Sequence, residues 1–281
     1  MAARKSSNTN RAASASAAKE IEERSAPITP VIYEVVRRFG EEEMSRPAVS
    51  LWWSGVAAGL SISFSLLAES VLRLRVPEGA WQPLLVSLGF PVGFLMVVLG
   101  RQQLFTENTI TMVLPVIAEP SSVNFRRLAR VWSIVLAANL FGTLLAALFC
   151  TFTPAVSDDV RASMLDLSRH ALDKDWVEMV FRGITAGFLM AAMVWLMPGA
   201  DTMHFHVVFV MTYLIGIADA VHIVTGSVQA FMLLASGEGH AGALLFGFGL
   251  PVLAGNIIGG TALFAVISYA QVMKEIERGK P

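Results

Sequence analysis

The sequence predicts an all-α protein that crosses a membrane several times. Of its 281 residues, 54% are hydrophobic and only 15% are charged, whereas soluble domains carry roughly 25% charged residues. The charges are unevenly placed, because residues 1–46 hold eight of the 21 basic and seven of the 22 acidic residues. These features exclude a soluble enzyme and a disordered chain. The net charge of −1 also lacks the basic excess of a nucleic-acid binder, so no nucleic-acid partner is expected.

Long apolar runs account for the rest of the chain. An apolar segment needs about 20 residues to cross a hydrocarbon core of about 30 Å, and these runs are too long for the alternating strands of an outer-membrane barrel. The second and fifth blocks exceed one simple helix and carry polar residues or glycines at mid-depth, so we predict six transmembrane helices of which the second and fifth are broken. The blocks lie at about 48–70, 83–118, 131–152, 177–197, 205–235 and 241–270.

Lysines and arginines near the ends of these blocks predict the orientation. Placing both termini in the cytoplasm puts fourteen basic residues inside and six outside, which agrees with the positive-inside rule. We expect a location in a bacterial-type inner membrane. The predicted organisation is a disordered cytoplasmic tail (1–28), an amphipathic helix on the membrane surface (29–46), the channel domain (47–272) and a cytoplasmic C-terminal tail (273–281). A frayed helix without lipid contact stays open for 29–46.

An internal repeat is indicated by the pattern Asn-x-x-Gly inside two apolar blocks. It occurs at Asn139 and at Asn256, an offset of 117 residues, and the same offset carries Phe105 onto His222. A unit of three helices repeated across six spans must be inverted in the membrane. The expectation is an inverted 3+3 repeat with a transport path at the interface of the halves, unless the short match arose by chance.

His222 is the first candidate for chemistry within the membrane, because its neighbours in the sequence are apolar. A neutral imidazole donates one hydrogen bond and accepts another, so it could orient a weak-acid anion or give it a proton. The alternative is a core histidine bonded to a backbone carbonyl. In the second block, Thr106 offers a hydroxyl and Phe105 a bulky apolar gate.

Charged residues at mid-depth form a second group of candidates. Arg101 and Glu107 could meet in an irregular loop, unless Arg101 extends to the interface. Asp219 lies three residues before His222 and would be beside it if that stretch is helical. His204-x-His206 lacks the further ligands of a metal site, no phosphate-binding loop is present, and Cys150 is the single cysteine. No metal, cofactor or disulfide is therefore expected.

Three motifs make the chain resemble the formate/nitrite transporter family over about residues 30–272. Leu104-Phe105-Thr106 resembles the L-F-T loop of the family. Gly255-Asn256-Ile257-Ile258-Gly259-Gly260 resembles its G-N-I-I-G-G signature, and Asn139-Leu140-x-Gly142 resembles the counterpart in its third helix.

The resemblance implies an aquaporin-like six-helix protomer, a homopentamer with one pore per protomer, and passage of small monovalent anions such as formate, nitrite, hydrosulfide, acetate or lactate. It maps the central pore residues onto Thr106 and His222. The constriction positions fall on Leu104, Phe105, Phe90, Phe94 and Ile215.

Several positions depart from the pattern of the family. Gln103 replaces a common acid, Glu107 follows L-F-T where a small residue is frequent, and the family's asparagines correspond to Gly187 and Gly226, while Ile215 replaces an aromatic residue. Three functions therefore stay open: a path for weak-acid anions, a transporter of a larger neutral solute or a cation, and a non-transporting membrane partner or sensor.

Overall fold

The computed structural model describes residues 27–278. Most of the expected N-terminal tail (1–28) and the last residues of the expected C-terminal tail lie outside the described residues. Regular structure in the described part is helical. The ten main helices are α1 (Thr29–Ser45), α2 (Ala48–Arg75), α3 (Gln82–Leu99), α4 (Phe105–Ala118), α5 (Ser122–Phe152), α6 (Asp158–Leu172), α7 (Trp176–Leu196), α8 (His204–Ile217), α9 (Ile223–Ala235) and α10 (Ala241–Glu277).

Five helices, α2, α3, α5, α7 and α10, are long and apolar enough to cross a membrane. The apolar helices α4, α8 and α9 are shorter. Residues 100–104 separate α3 from α4, and residues 218–222 separate α8 from α9. Each gap contains a residue with left-handed backbone, Arg101 with φ 53° and Asp219 with φ 48°. Non-glycine residues adopt this conformation rarely and at a cost of order 1 kcal/mol. The chain therefore turns at a defined residue in each gap.

Close helix packing recurs in the two halves of the chain. A Cβ atom at Gly59 of α2 would lie 2.3 Å from the carbonyl oxygen of Asn139 in α5. A Cβ atom at Gly187 of α7 would lie 2.2 Å from the carbonyl oxygen of Asn256 in α10. Glycine therefore lets the two helix pairs, α2 with α5 and α7 with α10, approach backbone to backbone, which is how membrane helices gain packing energy.

Helix α1 packs one face against the protein and exposes another. Tyr33 and Val36 join a buried apolar cluster with residues of α4 and α10, and a Cβ atom at Gly40 would meet the carbonyl oxygen of Thr111 at 1.9 Å. Val31 and Val35 are each 47% exposed. The predicted apolar face is thus divided, and its exposed part is the part available to lipid.

Ion pairs along α1 keep its surface charges in place. Arg37 donates to Glu34 at 2.8 Å and Arg38 donates to it at 2.6 Å, and Arg37 also pairs with Glu41. The hydrogen bond from Arg37 lowers the pKa of Glu34 to about 2. A depressed carboxyl pKa stabilises the fold above the ordinary value of about 4.5 and loses that effect as the pH falls toward 2, so these pairs persist throughout the physiological range.

Helix α6 was not among the predicted hydrophobic blocks. It begins where the Ser157 side chain accepts the N–H of Val160, and its acidic first turn and basic last turn (Arg169 and His170) suit the helix dipole. It buries Met164 against the bundle. Because α6 is charged on its other faces, hydropathy could not reveal it. The last helix, α10, runs on to Glu277 through part of the expected tail 273–281.

We expect Gly187→Ala to destabilise the folded protein by about 1–3 kcal/mol, because the new methyl group would overlap the backbone of α10. Thermal unfolding of the detergent-purified protein would measure the loss. Gly242→Ala is the matched control, since a Cβ atom at Gly242 meets nothing within 4 Å. Equal melting temperatures for the two variants would contradict the close approach of α7 and α10.

Candidate functional site

The first turn of α4 is held by a buried asparagine. A helix start leaves backbone N–H groups without partners inside the helix. Asn139 of α5 accepts the N–H of Phe105 at 2.9 Å, and its Nδ2 atom donates to the carbonyl oxygens of Gly55 at 2.9 Å and Gln103 at 2.8 Å. The side chain therefore satisfies three backbone groups at the break between α3 and α4, where water is excluded because Asn139 is fully buried.

Asn256 binds the first turn of α9 in the same way. It accepts the N–H of Ile223 at 2.8 Å, and its Nδ2 atom donates to the carbonyl oxygens of Gly183 at 2.8 Å and Val221 at 3.0 Å. It is also fully buried. The two asparagines predicted to belong to a repeat therefore make corresponding bonds in the two halves.

The register of the two breaks differs by one residue from the predicted register. The asparagines are 117 residues apart, but the bonds relate Phe105 to Ile223 and Gln103 to Val221, an offset of 118. Leu104 rather than Phe105 therefore corresponds to His222. The physical reason is that the first half holds one more residue between its helix start and its asparagine.

Thr106 and His222 meet where the two helices begin. The Oγ1 atom of Thr106 lies 2.6 Å from Nε2 of His222, and both residues are buried. Leu104 and His222 are the residues that immediately precede the first turns of α4 and α9. Residues 116 positions apart in the sequence thus form one polar contact between the halves.

The bonds of His222 define its tautomer. Its Nδ1 atom accepts the backbone N–H of Thr225 at 3.3 Å, and a backbone N–H can only donate. In the neutral ring the proton is then on Nε2, which donates to Thr106. Among the described residues, the Thr106 hydroxyl has no acceptor for its own proton. The contact therefore presents one free hydrogen-bond donor, suited to an anion or another acceptor.

Apolar side chains surround this polar contact. Phe94 packs edge-on against the His222 ring at 5.1 Å between centroids, and Phe90 packs on Phe94 at 5.2 Å. Phe105 packs edge-on against Trp132 at 5.6 Å. Phe90, Phe94 and Phe105 are three of the residues predicted to form the constriction. Leu104 and Ile215, the other predicted constriction residues, are also buried, with at most 1% of their surface exposed.

A buried polar chain adjoins the contact on the side of α1. Glu43 of α1 accepts a hydrogen bond from Gln103 at 2.7 Å, and Gln103 in turn accepts one from Asn108 at 3.3 Å. Arg46 pairs with Glu43 at 2.9 Å. Glu43 was not among the residues predicted for the site, because it lies in the run Glu41–Glu43 and nothing local in the sequence distinguishes it from its exposed neighbours.

Arg101 and Glu107, predicted as a possible pair, behave differently from each other. Arg101 is exposed, whereas the Oε1 atom of Glu107 is enclosed and without a hydrogen-bond partner. The ion pairs found among residues 27–278 do not join the two.

Asp219 does not lie in a helix with His222, so the condition under which the two were predicted to be adjacent is not met. The backbone turns at Asp219, and its carboxylate contacts Arg182 at 2.6 Å and Lys174 at 3.2 Å. Arg182 also pairs with Glu178 at 2.7 Å. The break between α8 and α9 is therefore linked by ion pairs to Lys174 and Arg182, at and near the start of α7.

The glycines that replace family asparagines do not leave empty space. A Cβ atom at Gly226 would lie 2.5 Å from the ring of Phe248, and Phe248 is buried. Gly187 is in contact with the backbone of Asn256. Both sites are occupied by neighbouring groups, which argues against a wider path at these positions.

Comparison with known proteins identifies the family. The model of the formate/nitrite transporter family matches residues 30–270. The chain belongs to this family. It is 40% identical over 245 residues to inner membrane protein YfdC of Escherichia coli, a match that covers 87% of this chain and 79% of the relative. The formate/nitrite transporter family consists of membrane transport proteins and not of enzymes, and this assignment places the chain among them.

Two solved structures share the fold. A pentameric formate channel with formate bound superposes with a TM-score of 0.68 at 18% identity, covering 81% of this chain and 98% of that chain. An FNT family ion channel gives a TM-score of 0.72 at 16% identity, covering 86% and 98%. The all-helical architecture of this formate/nitrite transporter family member is therefore that of the family's known channels.

We expect Asn139→Ala and Asn256→Ala each to prevent stable assembly. Each change leaves three buried backbone groups unpaired, at about 1–3 kcal/mol for each group. Gel filtration and thermal unfolding of the purified variants would measure the effect.

Asn124→Ala is the matched control, because Asn124 makes its side-chain bond at an exposed site. Asn139→Asp keeps only the acceptor and should be intermediate. Wild-type stability of both alanine variants would contradict the role assigned to the asparagines.

Proposed function

We propose that the chain forms a path for small monovalent weak-acid anions, of the formate or nitrite kind, across a bacterial cytoplasmic membrane. The observation that carries this proposal is the buried Thr106–His222 contact, which offers one free hydrogen-bond donor inside an apolar surround. An acceptor of hydrogen bonds is the species that such a site suits. The family assignment and the formate-channel fold support the same class of substrate.

The proposed protomer has six membrane-crossing segments arranged as an aquaporin-like inverted 3+3 repeat. The segments are α2, α3 with α4, α5, α7, α8 with α9, and α10, of which the second and fifth are the broken helices. Support comes from the equivalent bonds of Asn139 and Asn256 and from the equivalent close packing at Gly59 and Gly187. Five protomers form a homopentamer in the lipid bilayer, each with its own path, in agreement with the pentameric fold neighbour.

The proposed orientation has both termini in the cytoplasm. The basic residues of the sequence favour this orientation. It places α1, including Glu43, and the Gln103 side chain that bonds to Glu43 on the cytoplasmic side. The exposed valines of α1 would then face the inner membrane surface.

Because apolar side chains pack around the Thr106–His222 contact, protonation of the anion is part of the proposed mechanism. Moving a bare anion into an apolar constriction costs far more than moving the neutral acid. The phenylalanines beside His222 would therefore exclude hydrated ions, and a proton supplied at the Thr106–His222 contact would remove most of the cost for a weak acid.

The proposed proton transfer balances as follows. The His222 ring gains a proton at Nδ1 from the aqueous side, as the bond from the N–H of Thr225 opens, and becomes the cation. Its Nε2 proton moves to Oγ1 of Thr106 as the hydroxyl proton of Thr106 moves to the anion, which leaves a neutral ring with its proton on Nδ1. Nε2 then takes a proton from water and Nδ1 gives one up, which restores the resting tautomer. The acid then crosses without charge, so each turnover carries one proton together with one anion.

The structure gives less support to the alternative functions. A larger neutral solute needs a wider path, but Phe248 and Asn256 fill the space beside Gly226 and Gly187. A cation would depend on Glu107 and Asp219, and Asp219 is already paired with Lys174 and Arg182. A non-transporting partner or sensor role leaves the buried donor without a purpose.

We expect His222→Phe to reduce weak-acid uptake at least about tenfold while the protein still assembles, because general acid–base groups contribute factors of this size or more. Proteoliposomes that contain a pH-sensitive dye would report uptake of formate, nitrite, acetate, lactate or hydrosulfide. Thr106→Val should have a similar effect, since it removes the hydroxyl that links the ring to the anion.

His206→Phe is the matched control, because His206 is exposed on α8. If His222→Phe keeps wild-type uptake, the proton role of His222 is wrong. If assembled wild-type protein moves none of these anions but moves neutral solutes or cations, the proposed substrate class is wrong.

A further inference from the structure

Two side-chain oxygens beside the break between α3 and α4 are buried without a hydrogen-bond donor. These are Oε1 of Gln102 and Oε1 of Glu107. A buried acceptor without a donor is costly, because it has given up its hydrogen bonds to water and gained none in return. An acidic side chain kept within a membrane at such a cost is by default a candidate for function. The Oε1 atom of Glu107 therefore lacks a partner that carries a proton, such as a hydrogen-bond donor or an acid.

Glu107 directly follows Thr106 in the first turn of α4, one residue beyond the hydroxyl of the proposed path. The charged groups that act on Glu107 are Glu43 of α1 and Arg101 of the break. Of these, Glu43 is already paired with Arg46, and Arg101 is exposed.

The other helices packed on α4 bring uncharged groups to it within residues 27–278. Trp132 of α5 donates to the carbonyl oxygen of Asn108, and Thr261 of α10 donates to that of Thr109. Within this part of the chain no cation from these helices pairs with Glu107, so its carboxyl group is not held in an ion pair.

We propose that Glu107 is the proton acceptor of the cytoplasmic half of the path. This inference rests on the proposed function and adds a second proton-handling residue to it. A neutral acid that has passed Thr106 gives its proton to the Glu107 carboxylate, so the bond between the acid and its proton breaks as an O–H bond forms on Glu107. The anion leaves toward the cytoplasm, and Glu107 then releases the proton to cytoplasmic water. Outward transport uses the same steps in reverse.

Ionisation at this point prevents the substrate from returning. The product is an anion, which cannot re-enter the apolar surround of Phe94 and Phe105 without a large desolvation cost. Glu107 would therefore favour release over backflow.

The test compares wild-type protein with Glu107→Gln and Glu107→Asp in proteoliposomes. Uptake is followed with labelled formate and with an internal pH dye while the pH on the α1 side is varied. We expect Glu107→Gln to slow uptake about tenfold or more and to flatten its dependence on that pH. Glu107→Asp keeps a carboxyl group and should restore part of the rate.

A readout independent of transport is the infrared band of a protonated carboxyl group. Addition of formic acid should produce this band in the wild type and in Glu119→Gln, but not in Glu107→Gln. Glu119 is the matched control because it is exposed at the other end of α4. An unchanged rate and pH profile in Glu107→Gln, or the same band in that variant, would overturn the role of Glu107.

The two proposals fail in different ways. Absence of anion flux through assembled wild-type protein overturns the proposed function, whereas flux that Glu107→Gln leaves unchanged overturns only the role of Glu107. If Glu107→Gln does not assemble, Glu107→Asp carries the test. A displaced carboxyl group should lower the rate and shift the band, and wild-type values of both would overturn the proposal.

Discussion

The need to satisfy a broken backbone inside an apolar environment governs this structure. A path with polar groups at its centre needs helices that end there, yet unpaired backbone groups in the membrane interior cost several kcal/mol each. Asn139 and Asn256 each meet three such groups with one side chain. The position of Thr106 and His222 follows from this, because each lies within one residue of a helix start that an asparagine holds.

The asparagines work only because the helices that carry them come close to their neighbours. The acceptors for their Nδ2 atoms include the carbonyl oxygens of Gly55 and Gly183, which lie on the facing helices α2 and α7. A side chain as short as asparagine can reach across only where glycines let the backbones touch, as at Gly142 and Gly259. The Asn-x-x-Gly spacing therefore combines two roles. The asparagine binds the backbone groups at the helix start, and the glycine brings its helix close enough for that side chain to reach them.

The sequence predicted the parts of this arrangement that depend on local pattern. Apolar length predicted the long helices, and polar residues at mid-depth predicted breaks in the second and fifth blocks, since neither block fits an ordinary span. Three features depended on contacts distant in sequence and could not be predicted: the bond from Gln103 to Glu43, the filling of the Gly226 site by Phe248, and the pairing of Asp219 with Lys174. The predicted register of the two breaks was one residue off, because the Asn-x-x-Gly motif locates the asparagines but not the residues at which α4 and α9 begin.

The departures from the family pattern change the charges beside the proposed path more than they change its width. Phe248 and the backbone of Asn256 occupy the space that the two glycine replacements open, so size selection at these points is little altered. The acid expected before L-F-T is replaced by Gln103, and an acid appears after it as Glu107, with an unpaired oxygen. Because a buried charge acts strongly over short distances, we expect a carboxyl group on the other side of the helix start to change which protonation state the proposed path favours. The chemistry that distinguishes this chain within its family is therefore expected at Glu107 and Gln103.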